Sequence, residues 1–491
     1  TGSAAMTLYY NGRTSVVPLV LTAGAPGSGG TALNFDLAQS LIDSGQIIGA
    51  LIGDLRFDGI LEGATRAVIT YRASVEQAYT TSYLQSEINE GDSLGNNATV
   101  SGTILKNPIV VGDSEDDSSS ATTKIPTHSI ETSIVSVNGV APPPSVELKP
   151  GDIVTFRLAY DLVTGDYENL NLTSYLPLPL FDLAGITWTA GSGVGQWTYG
   201  SGDSNVDRVN SVTSSIGNSL VFDFGSYTTS KVSGARAEVQ FTLQVGNQPF
   251  ADQRSLTVLG QSDQLTTIDH DHLVSSGVAN IVSVAEPVLA IKHGVVSVGV
   301  GSNGLVSGAS GSWAAAGSGG APFSGSITDI AAVDGSVVAI DGGDLVRLAT
   351  AIENTGGLGA SDVTTEITLP GGFSFVGGSL SHANVAVYRG DGTVLVAGTD
   401  YSIAGNIVTF LDAGGSPSLL PGRLGTASDV SGANVVIITC DVVADATVAA
   451  SQSLQTSASL SNYSSADGGP DFTPVDLVDS ASQTIATPVI S

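Results

Sequence analysis

Two stretches of this 491-residue chain run in step. Gly151-Asp152-Ile153-Val154 and Gly343-Asp344-Leu345-Val346 each open a long alternating segment, and a Leu-Pro pair follows each one, at Leu176-Pro177 and Leu369-Pro370. Asp152 and Pro177 lie 25 positions apart, and Asp344 and Pro370 lie 26 apart. Upstream, PTHSIETSIVSV from Pro126 matches PVLAIKHGVVSV from Pro287, with Ile130 opposite Ile291 and Val137 opposite Val298. Downstream, a penultimate strand recurs three times, from Arg66, Arg236 and Ala433, and a closing strand follows it at 96–102, 254–260 and 455–462. Copies of this length are each large enough to bury a core of their own. The chain is therefore expected to be a tandem array, with junctions near 125 and 285.

The segments inside each copy read as strands. DIVTFRLAYDL (152–162), AEVQFTLQV (237–245), DLVRLATAIEN (344–354) and NVVIITCDVV (434–443) mix β-branched and aromatic residues with polar ones in alternation, the pattern of half-buried strands. Gly, Asn, Asp, Ser and Pro clusters separate them. Helical periodicity is confined to 37–52 and, more weakly, 82–88. The expected fold is all-β: tandem immunoglobulin-like β-sandwich modules arranged as an extended rod.

Spacing then sets the boundaries. The modules are expected at 1–125, 126–285 and 286–482, with 483–491 forming the first strand of a following module around Pro488. Arg66 is only 65 positions from Thr1, so the first module is expected to lack its front strands. Either a longer polypeptide or a neighbouring chain, through strand addition at an open sheet edge, would complete it. The third module carries extra residues near 299–327, a Gly/Ser/Ala-rich insertion expected to be loosely packed or to lie against a neighbouring module.

The quoted landmarks resemble the conserved-repeat (DUF11-type) immunoglobulin-like modules of large bacterial surface proteins. In that family a strand reading GDxVxYxxxxxNxG precedes a DxLPxGL turn. Asn354-Thr355-Gly356-Gly357 and Leu369-Pro370-Gly371-Gly372 match it, whereas Leu176-Pro177-Leu178-Pro179 has no glycine and predicts a differently shaped turn. The resemblance implies a secreted, extracellular stalk, filament, adhesin or surface-layer component on the bacterial cell surface, and no catalysis.

Acids outnumber bases 46 to 16, giving a net charge of −30. Such a surface excludes nucleic acid and anionic membrane as partners, since phosphate binding needs clustered Lys and Arg. No run of about 20 apolar residues predicts membrane insertion. The expected partners are copies of the chain or adjacent modules of the same polypeptide. The acidic charge points instead to divalent cations. Asp113, Glu115, Asp116 and Asp117, just before a junction, are candidate calcium ligands, as are Asp166 with Glu168 and Asp467 with Asp471, because calcium takes several flexible oxygens. A solvated acidic loop is the competing reading.

Trp188 and Trp197, in ITWTAGSGVGQWTYG, are candidate glycan-stacking residues for an adhesin; cross-strand burial in a hairpin is the alternative. His270 and His272 share one face of a strand but lack the third ligand a zinc site needs. The lone Cys440 is expected to be a small buried residue. RGDGT at 389–393 reads as a hairpin tip. No GxSxG nucleophile elbow, metalloprotease helix motif, phosphate loop or dinucleotide fingerprint is expected, and an enzyme is not expected.

Overall fold

The computed structural model of the protein describes residues 4–10, 13–23, 33–44, 65–72, 75–76, 78–79, 88–107, 110–162, 166–201, 205–215, 217–228, 235–267, 272–310, 312–313, 323–324, 329–411, 420–422 and 432–487. Strands dominate. The one α-helix among the described residues, Leu37–Ser44, covers the front of the expected helical segment and starts where Asp36 accepts the backbone N–H of Gln39. The rest of that segment, and most of 82–88, lie outside the described residues.

The first module holds β1 (Ala5–Tyr10), β2 (Arg13–Pro18), β3 (Val20–Ala23), β4 (Leu33–Asp36), β5 (Arg66–Thr70), β6 (Ser93–Asn107) and β7 (Val110–Lys124). β5 pairs with β1, and β1 with β2. β6 and β7 form a two-stranded ribbon.

The second module holds β8 (Glu131–Val137), β9 (Val146–Leu148), β10 (Ile153–Leu162), β11 (Asp166–Tyr175), β12 (Thr189–Ala190), β13 (Gln196–Tyr199), β14 (Ser211–Ser215), β15 (Ser219–Thr228), β16 (Ala235–Gln244), β17 (Ser255–Leu265), β18 (His272–Ser276) and β19 (Asn280–Val284). One sheet runs β12-β13-β16-β10-β8 and the other β14-β15-β11-β17-β19-β9, with β18 also on β17. Between them lie Phe156, Phe222 and Phe241, all fully buried.

The third module holds β20 (Leu289–Val298), β21 (Leu305–Ser307), β22 (Ser312–Trp313), β23 (Phe323–Ser324), β24 (Ser336–Ile340), β25 (Leu345–Asn354), β26 (Ser361–Thr368), β27 (Phe373–Phe375), β28 (Ala386–Arg389), β29 (Val394–Leu395), β30 (Tyr401–Ala404), β31 (Ile407–Phe410), β32 (Val435–Ala444), β33 (Ser453–Ser464) and β34 (Leu477–Ile485). Its sheets run β20-β25-β32-β28-β29 and β21-β24-β34-β33-β26-β31-β30.

The two complete modules are the same sandwich. β8 and β20 each carry a bulge against the Gly-Asp strand at the same point, after Ile134 and after Val295. This fixes Ile130 opposite Ile291, as the repeat predicts. In both modules an early strand pairs in parallel with the last one, β9 with β19 and β24 with β34. The Leu-Pro turns do differ. Phe181 N–H reaches Pro177 C=O across four residues in the second module, whereas Phe373 N–H reaches Pro370 C=O across three in the third, where Gly372 takes a positive φ of 105°.

The closing hairpins extend the match to all three modules, and they correct two expectations. Ser93 faces Lys124, Ser255 faces Ser283 and Ser453 faces Thr484. The common start is therefore Ser-Leu, so residues 96–102 align with 258–264 rather than with 254–260. Likewise Gln483, Thr484 and Ile485 are not the start of a following module, while Pro488 and the rest of that expected strand lie outside the described residues. They end β34, with Gln483 and Ile485 buried in the third sandwich. Apolar alternation cannot distinguish the last strand of one sandwich from the first strand of the next.

A third correction concerns the insertion. β25 and β32 are buried along almost their whole length, on both faces. Ile330 and Val333, in a short 3₁₀ turn, cover the outer face with Ala309, packing on Val296, Ala349, Ala351, Val435, Ile437 and Tyr388. Ala309, within the insertion, thus packs on its own module beside the segment that follows the insertion. Gly294 lets it approach, since the Val333 carbonyl occupies the space a Cβ would need. Double-sided burial is why NVVIITCDVV is nearly continuously apolar.

His293 sits in this core without exposure, its ring nitrogens 2.9 Å from the hydroxyls of Thr350 and Thr456. Gln483 donates to the same Thr456 hydroxyl at 2.8 Å. Burial holds the imidazole down to about 4, from an ordinary 6.5. A lowered histidine pKa means the unfolded chain takes up the proton first, so stability is complete above pH 6.5 and falls as pH drops towards 4. The loss reaches about 3 kcal/mol at about 1.4 per unit. Urea unfolding at pH 7 and pH 4 should show this loss in the native protein and a smaller one in His293→Gln. Equal losses would refute the assignment.

Candidate interface: the joints between modules

The modules meet through their loops. At the first joint, Ile88–Asp92 leads into β6, and Asn89, Glu90 and Asp92 are almost fully buried. The Glu90 carboxylate accepts from the Tyr160 hydroxyl at 2.6 Å and the Gln264 amide at 3.3 Å, with the Tyr167 hydroxyl at 3.5 Å. These donors stand at the end of the second sandwich, on β10, β17 and β11. One carboxylate therefore bridges both sheets of the next module. Burial, and then the Glu90 charge, hold the Tyr160 phenol well above its ordinary 10.0. Around it, Asn89 donates to the Leu265 carbonyl at 2.8 Å, and Asp92 accepts the Thr267 N–H at 3.1 Å.

At the second joint, Asp252 Oδ1 accepts two backbone N–H groups at 3.0 Å, from Glu286 in the connection and from Gly357 in the third module. Both Glu286 oxygens lie within 3.1 Å of the Phe250 N–H that donates to them. Asn354, fully buried, accepts from Val288 N–H and Gly356 N–H and donates to the Leu358 carbonyl. Gly356 lies so close to the Glu286 carbonyl that no Cβ fits. The Asn-x-Gly landmark is thus the socket of a joint. Burial, and then the Asp252 charge, raise Glu286 above its ordinary 4.5, against the Phe250 hydrogen bond. Its contribution runs opposite to that of His293: it stabilises the joint as pH falls through the raised value and is lost as pH rises.

The calcium candidates do not converge. Asp113, Glu115, Asp116 and Asp117 lie exposed along β7, with Glu115 and Asp117 on one face and Asp116 on the other, rather than in a loop at the joint. Glu168 flanks a bulge in β11, at whose start Asp166 lies. Asp471 closes a local turn by accepting from the N–H and hydroxyl of Thr473, while Asp467 is exposed. Among the described residues, no three carboxylates, imidazoles or thiols come together in a way that could hold a metal ion. The residues therefore do not fit a calcium cage. Thermal unfolding is expected to be unchanged by EDTA; a lower midpoint would reveal a site, because an ion bound only to the folded state must raise stability.

The tryptophans turn inward. Trp188 meets Phe241 edge-on at 6.2 Å, and Trp197 meets Phe222 at 6.0 Å and Tyr199 at 5.1 Å. Both are half-buried against the second core, so the pair forms no open stacking platform. His272 lies 3.3 Å from Asp263, and His270 is outside the described residues. Cys440 is fully buried, which pushes its thiol up to about 12. The RGD stretch is a hairpin tip, with Asp391 accepting Thr393 N–H and Gly392 at a positive φ of 92°.

Two motif spellings do occur, against expectation. Gly91-Asp92-Ser93-Leu94-Gly95 has G-x-S-x-G spacing, but Ser93 opens a strand instead of a strand-to-helix elbow. Gly299 to Gly304 spells G-x-G-x-x-G, but it leads from β20 to β21 with no helix. Neither has the context its chemistry requires.

No protein-family model matches the chain, and no curated protein does. Solved structures overlap it loosely. The C-terminal domain of the Streptococcus pyogenes antigen I/II-family protein AspA shows 9% identity and a TM-score of 0.33, covering 72% of this chain and 99% of that one. BcpA, the major pilin subunit of Bacillus cereus, shows 10% and 0.28, covering 84% and 91%. A fragment of the major pilin GBS80 of Streptococcus agalactiae shows 11% and 0.24, covering 73% and 91%. Superpositions this loose fix neither the lineage nor the role of the chain.

Proposed function

We propose that this protein is a structural segment of the bacterial cell surface, part of an extracellular stalk, filament or surface layer built from tandem β-sandwich modules. The observation that carries this reading is the pair of joints, where buried polar contacts replace a flexible linker. The work of such a chain is mechanical: it holds length and stiffness, and its acidic surface keeps neighbouring rods apart. In this reading its partners are adjacent modules or further copies.

The β6–β7 ribbon supports the same reading. Val100 and Ile104 are about half exposed, yet in register they correspond to the β17 face that the second module buries. β7 carries four acids, which protect an edge against pairing, whereas Ser93–Asn107 carries none. The β6 edge is thus the place for an added strand, in the position β11 takes beside β17.

Antibody labelling of intact bacterial cells expressing the protein tests the location. Surface staining without permeabilisation is expected; staining only after lysis would overturn the proposal.

A further inference from the structure

The register of the closing hairpins places three loops in correspondence. Gly91, Gln253 and Ser451 each stand two residues before the common Ser-Leu, and all three have positive φ, at 79°, 60° and 61°. Gly91 and Gln253 make the same bond, donating to the carbonyls of Ile125 and Val284 at the end of the return strand. The residue just before that turn is Glu90 in the first module, Asp252 in the second and Ala450 in the third. Both acids leave their own module and end on donors of the next.

We propose that this position is the coupling site of the rod: an acid presented by the positive-φ turn of the first and second closing hairpins latches the next module by accepting its hydrogen bonds. The inference deepens the structural reading above and rests on it only for its biological purpose.

The chemistry of the two sockets agrees. Each offers hydrogen-bond donors. Glu90 meets side-chain hydroxyls and an amide, while Asp252 meets a backbone N–H of the Asn-x-Gly turn. An acceptor lost from either place strands buried donors, which is costly wherever water cannot replace it. The turn itself is shared by all three modules, so Ala450 marks a loop with the same backbone and no latch. There Ser451 bonds Thr487 within the third module, hydroxyl to hydroxyl at 2.6 Å.

Spin labels on the full chain at Val194→Cys and Val478→Cys, both exposed positions, would read the second joint. A single narrow distance distribution is expected for the native sequence. It should broaden in Asp252→Ala and stay narrow in Asp252→Asn, which keeps the accepting oxygen. Hydrogen exchange provides the second reading. The Gly357 amide should lose protection in Asp252→Ala while core amides of β16 and β32 keep theirs, which separates unlatching from unfolding. An Asp252→Ala variant with the native distribution and a protected Gly357 would overturn the proposal. A latched joint in a protein found only inside cells would sink the surface role and leave the latch standing.

Discussion

Arg347→Met is expected to destabilise the third module by about 3–5 kcal/mol, the cost of leaving a buried charge without its partner. Arg347 and Asp441 face each other across β25 and β32, with paired contacts of 2.8 and 3.1 Å and side chains 6% and 1% exposed. Asn384 donates to the same carboxylate at 2.8 Å. Removing the guanidinium takes two charge-assisted contacts from a carboxylate in a place closed to water. The double variant Arg347→Met/Asp441→Leu should recover much of the loss, because it removes both desolvation costs. Urea unfolding of the third module reads both. A single-variant loss below about 1 kcal/mol, the scale of exposed pairs, would show that the pair is wet.

A comparable loss is expected from Phe241→Ala in the second module. Phe241 is fully buried and stacks on Phe156 at 5.2 Å, with Phe222 at 5.7 Å and Trp188 edge-on beyond. Truncation removes the ring that ties the two sheets to the tryptophan flank. The cost is about 3–5 kcal/mol for a buried phenylalanine, and Trp188 fluorescence should shift to the red as its contact is lost. A cost under about 1.5 kcal/mol, typical of a volume-conserving swap, would mean that the core closes over the gap.

These two cores were legible in the sequence to different degrees. Alternation in DIVTFRLAYDL exposes the second core directly, because one face of that strand carries salt bridges such as Arg157 to Glu238 at 2.7 Å. The third core was read as half-buried because alternation assumes one wet face. Its cover comes from Ile330 and Val333, just past the insertion, and from Ala309 within it, where a Gly/Ser/Ala-rich composition suggests only a loose loop. Repeats located the modules, yet a strand shift in one hairpin and the end of β34 escaped them, since neighbouring strands have the same period. The joints were the least legible. Nothing in INEGD marks Glu90 as buried, because its partners Tyr160 and Gln264 lie 70 and 174 positions away. Asn354 and Gly356 were visible only as landmarks. Acidic runs were visible as charge, but their place along an exposed strand rather than in a joint loop follows from a hairpin that runs to Lys124.

The central claim is that buried joints turn separate sandwiches into one stiff body. Small-angle X-ray scattering of the full chain tests it most directly. An elongated, skewed pair-distance distribution whose maximum dimension stays constant from low to high salt is predicted, since Glu90 is fully buried and Asp252 partly so, and screening acts mainly on exposed charge. A symmetric, compact distribution, or a length that varies with salt as in freely jointed modules, would contradict it.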